Sequence, residues 1–279
     1  MDVNTGKERA VLFGINGFQY SGPNFESVWG EFVDLAKAAG ALPVAQVIQS
    51  RANPDPAFLL GSGKAEELKD SVGETLAELL ISLQGLSPVQ VRNLEDLTGV
   101  RVADRTDLIL DIFAQRAQTK EGKLQVELAQ LSHLLPRLSG SLGRELSRLG
   151  GGIGTRGPGE SKLEVDRRRV RRRIADLRRE LKQIEAHRKI QRQLREKQAV
   201  PTVALVGYTN AGKSTLFNRL TSAGVSSRAR LFDTLDPVSR RIRISKRDEL
   251  ILLDTVGFIR DLPMELVAAF KATLEETVR

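Results

Sequence analysis

Eight consecutive residues, Gly207-Tyr208-Thr209-Asn210-Ala211-Gly212-Lys213-Ser214, carry the most specific chemistry in the sequence. They read G-x-x-x-x-G-K-S, follow the apolar run Val203-Ala204-Leu205-Val206, and precede Thr215 to Leu220, which reads as a helix. Strand, loop and helix in that order are the context a phosphate-binding loop (P-loop) requires. The glycines let successive backbone N–H groups turn inward around a phosphate, Lys213 supplies a point charge for the β and γ oxygens, and the Ser214 hydroxyl can ligate Mg²⁺. Downstream, the buried-strand run Leu250-Ile251-Leu252-Leu253 ends in Asp254-Thr255-Val256-Gly257. A carboxylate at that strand end can hold Mg²⁺ through water, and the Gly257 N–H can approach a γ-phosphate. Between the two motifs lies Phe232-Asp233-Thr234-Leu235-Asp236. There the Thr234 hydroxyl and carbonyl would sense metal and γ-phosphate. The candidate nucleotide-contacting residues are therefore 207–215, 232–236 and 254–257, with Lys213, Thr234 and Gly257 in catalytic roles and Ser214, Thr234 and Asp254 around the metal.

These residues need a sheet to hold them. Ser239 to Ile244 is expected to pair with the Asp254 strand through a turn around Lys246-Arg247-Asp248-Glu249, and Pro201 to hinge this part from what precedes it. The first part of the chain alternates between two periods. Strands are expected at Ala10–Ile15, Pro43–Ile48, Ala77–Leu83 and Val100–Val102, and helices at Phe25–Ala39, Lys64–Ser71 and Pro88–Leu97. That is a small α/β domain with a largely parallel sheet. Within it Gly61-Ser62-Gly63-Lys64 resembles the end of a P-loop, but Ala65 stands where a metal-ligating hydroxyl belongs. A second phosphate site and a plain glycine entry into a helix both fit it.

From Thr106 the pattern is helical through Arg116, and Leu124, Leu128, Leu131 and Leu135 then recur at four, three and four until Pro136. Val170, Ile174, Leu177, Leu181 and Ile184 form a matching seam. An antiparallel helical hairpin is one reading; separate packing of each seam on the α/β domain is the other. The intervening stretch from Ser139 to Glu160 is rich in glycine and carries Arg144, Arg148 and Arg156. It cannot bury enough apolar surface to form a core.

With 41% hydrophobic residues the 279-residue chain can bury real cores, and none of its apolar runs approaches the ~20 residues of a membrane span. No cysteine is present, which excludes disulfides, thiolate metal sites and cysteine nucleophiles, and two histidines leave little for a His-based metal site. Met1-Asp2-Val3-Asn4 opens polar, unlike a signal peptide, so a cytoplasmic location is expected. The net charge of +8 is concentrated: between Lys162 and Lys197 there are 15 Lys/Arg against 6 Asp/Glu. Arg167-Arg168-Arg169-Val170-Arg171-Arg172-Arg173, beside the arginine- and glycine-rich stretch, points to a polyanion, RNA first. A solvated helix face would mix signs more evenly.

Taken together, residues 150–168, Gly207 to Ser214, Phe232 to Asp236 and Asp254 to Phe258 closely resemble the HflX family of ribosome-associated GTPases, as do Leu86 to Leu94 and Asp104-Arg105-Thr106. The resemblance implies three parts: an N-terminal α/β domain over 1–117, a helical hairpin with its glycine-rich basic loop over 118–200, and a partial Ras-like P-loop GTPase domain over 201–279. It also implies a GTP- and GDP-binding, Mg²⁺-dependent GTPase of the cytoplasm. The expected partners are the large ribosomal subunit and its RNA, with the protein monomeric when off the ribosome. The family carries an Asn-Lys-x-Asp guanine-reading motif further on, whereas no Asn of this chain is followed by Lys. The chain therefore reads as truncated within the GTPase domain. An RNA-binding fragment with little or no nucleotide turnover is the alternative, and an ATP-using P-loop enzyme a third reading, weakened by the glycine of Asp254-Thr255-Val256-Gly257. Phe258 stands where Ras-like GTPases place a water-orienting glutamine, and an aromatic ring cannot hydrogen-bond that water.

Overall fold

The structure, a computed structural model, describes residues 7–138, 162–196, 201–221, 232, 238–245 and 248–262. The chain divides into two compact units, one formed by 1–111 with 134–168 and the other by 112–133 with 169–279.

In the first unit the apolar runs become four parallel strands, β1 (Arg9–Asn16), β2 (Leu42–Ser50), β3 (Leu79–Ser82) and β4 (Arg101–Asp104), in the order β2-β1-β3-β4. The connecting helices are α1 (Gly22–Ala39), α2 (Ser62–Thr75) and α3 (Pro88–Thr98). β1 is buried from Ala10 to Ile15 and all four residues of β3 are buried, so both read as continuous apolar runs. In α1, Phe25, Val28, Trp29, Phe32, Leu35 and Ala36 fall on one stripe and are buried. Each large side chain taken fully out of water, such as Phe32 or Phe13, contributes about 1.5–3 kcal/mol. At α3 the Ser87 hydroxyl accepts from the Gln90 N–H while the Gln90 side chain accepts from Ser87, a capping box that starts the helix sharply.

Polar groups in this unit close on one another. Gln84, 2% exposed, uses its amide as a surrogate strand: Oε1 accepts from Ile15 N–H at 3.0 Å and Nε2 donates to Ile15 O at 2.7 Å. Asp104, 1% exposed, accepts from the N–H groups of Leu86, Thr106 and Asp107 and from the Arg137 guanidinium at 2.5 Å; Arg137 also donates to Asp107 at 2.7 Å. Burial works against the Arg137 charge, but Asp104 and Asp107 outweigh it and hold its pKa above the ordinary arginine value. Gly61 proves to be the entry to α2: its N–H is taken by Gln49 Oε1 at 2.8 Å, and Lys64 pairs with Glu67 at 2.7 Å.

The helices α4 (Arg105–Arg116), α5 (Lys120–Arg137) and α6 (Lys162–Glu196) belong partly to each unit. α4 and α5 are separate, because Thr119 intervenes and its Oγ1 caps α5 by accepting from Gly122 N–H at 3.0 Å. Pro136 lies inside α5 instead of ending it. One residue from the helix end, it forfeits a single backbone bond, which the last turn tolerates. In α6 the expected seam is present, with Leu177 and Ile174 buried at 0% and 6% exposure and Val170, Leu181 and Ile184 half-buried. Within the second unit, Arg173 grips Glu127 of α5 through two bonds of 2.7 and 2.8 Å. Among the described residues no helix is long and apolar enough to cross a membrane.

The second unit also holds β5 (Thr202–Leu205), α7 (Lys213–Thr221), β6 (Val238–Arg243) and β7 (Glu249–Asp254). β7 is central, parallel to β5 and antiparallel to β6, with Val238 opposite Asp254 and Arg243 opposite Glu249. Phe217 of α7 is buried, as are Leu252 and Leu253, which alternate to the two faces of β7.

Candidate nucleotide site and a basic helix face

The loop leaves β5 at Val206 and enters α7 at Lys213. Asn210 (φ 60) and Gly212 (φ 84) both sit in the left-handed region, which turns the chain tightly, and Ala211 N–H donates back to Tyr208 O at 3.3 Å. Asn tolerates that conformation better than most residues. α7 begins at once, with Leu216 N–H donating to Gly212 O at 2.9 Å, so its N-terminal dipole faces the loop. The Lys213 ammonium lies back over the loop and donates to the Tyr208 carbonyl at 2.7 Å. Burial lowers its pKa below the ordinary lysine value, and the charge of Asp254 pulls in the opposite direction.

β7 delivers the second motif to the same place. Asp254, 0% exposed, ends the strand with Oδ2 accepting from Ser214 Oγ at 2.6 Å. Two hard oxygen donors from residues forty positions apart thus converge beside the Lys213 cation, a set suited to Mg²⁺. Thr255 Oγ1 is turned away, donating to Leu205 O at 2.6 Å and tying the end of β7 to β5. Beyond it the chain runs against the loop itself: Phe258 N–H donates to Gly207 O at 3.0 Å and Thr209 N–H donates to Phe258 O at 2.8 Å. This close approach fixes the residue type at 257. A Cβ there would meet Thr209 Cα at 2.6 Å and Thr209 N at 2.8 Å, both main-chain atoms.

Residues 207–214 and 254–257 are therefore brought together, while Thr215 is on the exposed side of α7. Phe232 serves packing: it is 2% exposed and meets Phe113 edge-on at 4.6 Å between ring centroids. That leaves its main chain, not its ring, for nucleotide. Asp233, Thr234, Leu235 and Asp236 lie outside the described residues, as do the stretch 139–161 with its glycines and Arg144, Arg148 and Arg156, the segment before Pro201, and Lys246 and Arg247. What sequence reasoning missed is the main chain of Phe258 as a partner of the loop. Its side-chain type carries no such signal.

The arginine run of α6 splits by helical geometry. Arg171, Arg172, Arg178, Arg179 and Lys182 recur at helical spacing on the side of α6 that flanks and opposes the Ile174–Leu177 seam, and all five are exposed. They form a stripe about 17 Å long at 1.5 Å per residue. Arg173 is excluded from this face, being turned toward Glu127 and, at 3.6 Å, Glu180.

Comparison with known proteins matches the chain to three consecutive family models: a GTP-binding GTPase N-terminal region over residues 26–114, a GTP-binding GTPase middle region over 116–195 and a 50S ribosome-binding GTPase over 202–278. Among curated relatives, GTPase HflX of Caldanaerobacter subterraneus is 54% identical over 270 residues, covering 97% of this chain and 62% of its own length. GTPase HflX of Escherichia coli is 55% identical over 247 residues, covering 88% and 58%. The solved structure of a GTP-binding protein from Sulfolobus solfataricus in complex with GDP aligns at a TM-score of 0.51 and 27% identity, over 96% of this chain and 67% of that one. A complex of SsGBP with GDP aligns at 0.54 and 28%, over 96% and 68%. The convergence of the Gly207–Ser214 loop with Asp254 and Gly257, the order of the three matched regions and identities above one half lead to one conclusion: the chain belongs to the HflX family of GTPases, spanning about 60% of the length of the curated relatives it matches.

Proposed function

We propose that this protein binds and hydrolyses GTP and uses that cycle while associated with the large ribosomal subunit, in protein synthesis, ribosome rescue or ribosome biogenesis. The observation that carries the reading is the 2.6 Å contact of Ser214 Oγ with Asp254 Oδ2 beneath a loop held left-handed at Asn210 and Gly212. Mg²⁺, when bound, would neutralise charge developing on the β and γ oxygens, held by Ser214 and, through water, Asp254. Lys213 contributes a fixed cation, and the loop N–H groups with the α7 N-terminus orient the phosphates. Gly257 admits the main chain close to the loop, and Thr234 is proposed as the residue that senses the γ-phosphate. GTP over ATP follows from family membership.

The ribosomal part of the reading is supported by the α6 stripe of Arg171, Arg172, Arg178, Arg179 and Lys182 and by the name of the matched C-terminal family model. The protein is proposed to act in the cytoplasm and to be monomeric off the ribosome. A second reading, RNA binding with little turnover, is favoured by one feature: Val203 of β5, the strand that carries the loop, is 43% exposed and Val206 just beyond it 56%, so the nucleotide sheet is thinly covered.

Calorimetric titration with GTP, GDP and ATP separates the readings. Binding of guanine nucleotides, lost in Lys213→Ala and stripped of its Mg²⁺ dependence in Ser214→Ala, is expected. Equal affinity of parent and Lys213→Ala would remove the P-loop assignment. Binding without GTP turnover, alongside RNA binding, would favour the second reading.

A further inference from the structure

A second concentration of positive charge lies on β6, where neither the phosphate loop nor α6 makes use of it. Arg240, Arg241 and Arg243 are all exposed, the side chains of the latter two by 54% and 71%. Ile244 N–H donates to Asp248 O at 2.9 Å. In an antiparallel pair this parity makes the even-numbered residues face β7 with their backbone groups, so Ser239, Arg241 and Arg243 turn theirs to the opposite edge. No described strand lies beyond that edge. Arg241 and Arg243 also share one face, about 7 Å apart at 3.4 Å per residue.

Compensation along this edge is sparse among the described residues. Arg241 and Arg243 divide a single carboxylate, Glu249, at 3.3 and 3.1 Å, and Asp248 is engaged by Ser245 Oγ at 2.6 Å. Arg240 donates to the neighbouring Ser239 carbonyl at 3.2 Å. In sequence Lys246 and Arg247 follow directly. The edge therefore combines forked guanidinium donors with outward main-chain N–H groups, the two donor types that hold phosphate oxygens in nucleic-acid complexes.

We propose that the β6 edge is a second polyanion contact that takes the phosphate backbone of RNA, in addition to the α6 stripe. The proposal rests on the reading that this protein binds RNA. Charge complementarity selects the occupant, since the donors along this edge are guanidinium groups and main-chain N–H groups, both suited to phosphate oxygens. A purely protective role, in which arginines keep a sheet edge from pairing with another copy, makes the opposite prediction for RNA.

The test uses the whole chain with Arg240, Arg241 and Arg243 all changed to Gln, titrated with labelled single-stranded oligouridine across a salt series. Nucleotide affinity serves as the check on folding. Each lost phosphate contact lowers the log–log salt slope by about 0.7, so the triple variant should flatten it by about 2 at unchanged nucleotide affinity. An α6 variant with Arg171, Arg172, Arg178 and Arg179 changed to Gln is measured in parallel. If it flattens the slope and the β6 variant does not, RNA binding stands and the β6 proposal falls. If the parent chain does not bind the RNA, both fall together. Self-association of the β6 variant with an unchanged slope identifies the protective role and overturns the proposal. Should the triple variant fail to fold, Arg240→Gln and Arg243→Gln singly are each expected to lower the slope by about 0.7, and no change in either overturns it.

Discussion

The two sheets formed by the described residues are built to opposite specifications. β1 and β3 of the four-stranded sheet are buried almost throughout, whereas β5 has two exposed and two half-buried residues and β6 is exposed at Ser239, Arg240, Arg241 and Arg243. In the first sheet buried polar groups satisfy one another: Gln84 completes Ile15, and Asp104 gathers Leu86, Thr106, Asp107 and Arg137. In the second, polar groups converge on a surface loop and point at what a ligand would supply. Burial makes a stable scaffold, but it leaves no donors for a phosphate. A site for a charged ligand needs the thinner cover that β5 and β7 provide.

The strongest way to break the contrast is at Arg137. Changing it to Met leaves the Asp104 carboxylate buried without its cation, which should destabilise the first unit by about 3–5 kcal/mol. A urea titration followed at Trp29 would show the midpoint falling; an unchanged midpoint would mean that the three backbone N–H groups already suffice for Asp104.

The next largest effect belongs to Gly257. Its replacement by Ala forces a methyl group onto main-chain atoms of Thr209, an overpacking that should cost about 1–3 kcal/mol and emerge chiefly as weaker nucleotide binding. Because the clash is with Cα and N, adding Thr209→Gly should not restore affinity. Full rescue in the double variant would show that only the Thr209 side chain excludes a larger residue.

A smaller change, of opposite sign, is expected at Ser82, which is 0% exposed and whose Oγ has no hydrogen-bond partner among the described residues. Ser82→Ala removes an unsatisfied buried hydroxyl and should raise stability by about 1 kcal/mol. A fall in Tm would reveal a bond that this hydroxyl makes.

The smallest effect is a pH dependence at Lys213. Burial lowers its pKa, so the folded protein releases this proton at a lower pH than an unfolded chain would. Phosphate favours the charged form. Nucleotide affinity should therefore decline as pH rises through the lowered value, earlier than for an ordinary lysine, with proton uptake on binding. Calorimetry in buffers of different ionisation enthalpy measures that uptake, and its absence on the alkaline side would mean that the ammonium does not meet the phosphate.

Much of this was legible from local pattern. The G-x-x-x-x-G-K-S loop and Asp254-Thr255-Val256-Gly257 are contiguous, and a strand end needs only its own few residues to present them. Alternation of apolar runs with 3.6-period stripes likewise located β1, α1, β2, α2, β3, α3 and β4 to within a few residues. The end of α4 at Arg116 was legible too, whereas the cap that starts α5 shows only in the bond of Thr119 Oγ1 with Gly122 N–H. The arginine run gave the amount of charge but not its partners, since Glu127, 46 positions away, and Glu180 take up Arg173.

The sequence by itself determined the chemistry on offer: a phosphate loop, a metal-competent hydroxyl and carboxylate, a basic segment and an α/β chain to carry them. Tertiary structure alone decided that Ser214 and Asp254 meet at 2.6 Å, that Phe232 turns its ring onto Phe113, that Gly257 must lack a side chain because Thr209 lies against it, and that β6 shows its arginines at the end of the order of described strands. The reason is one of range. Residue type and periodicity are properties of neighbours along the chain, and they specify which face is apolar or charged. The partner that such a face meets is chosen by packing between segments tens of residues apart, where sequence spacing carries no information.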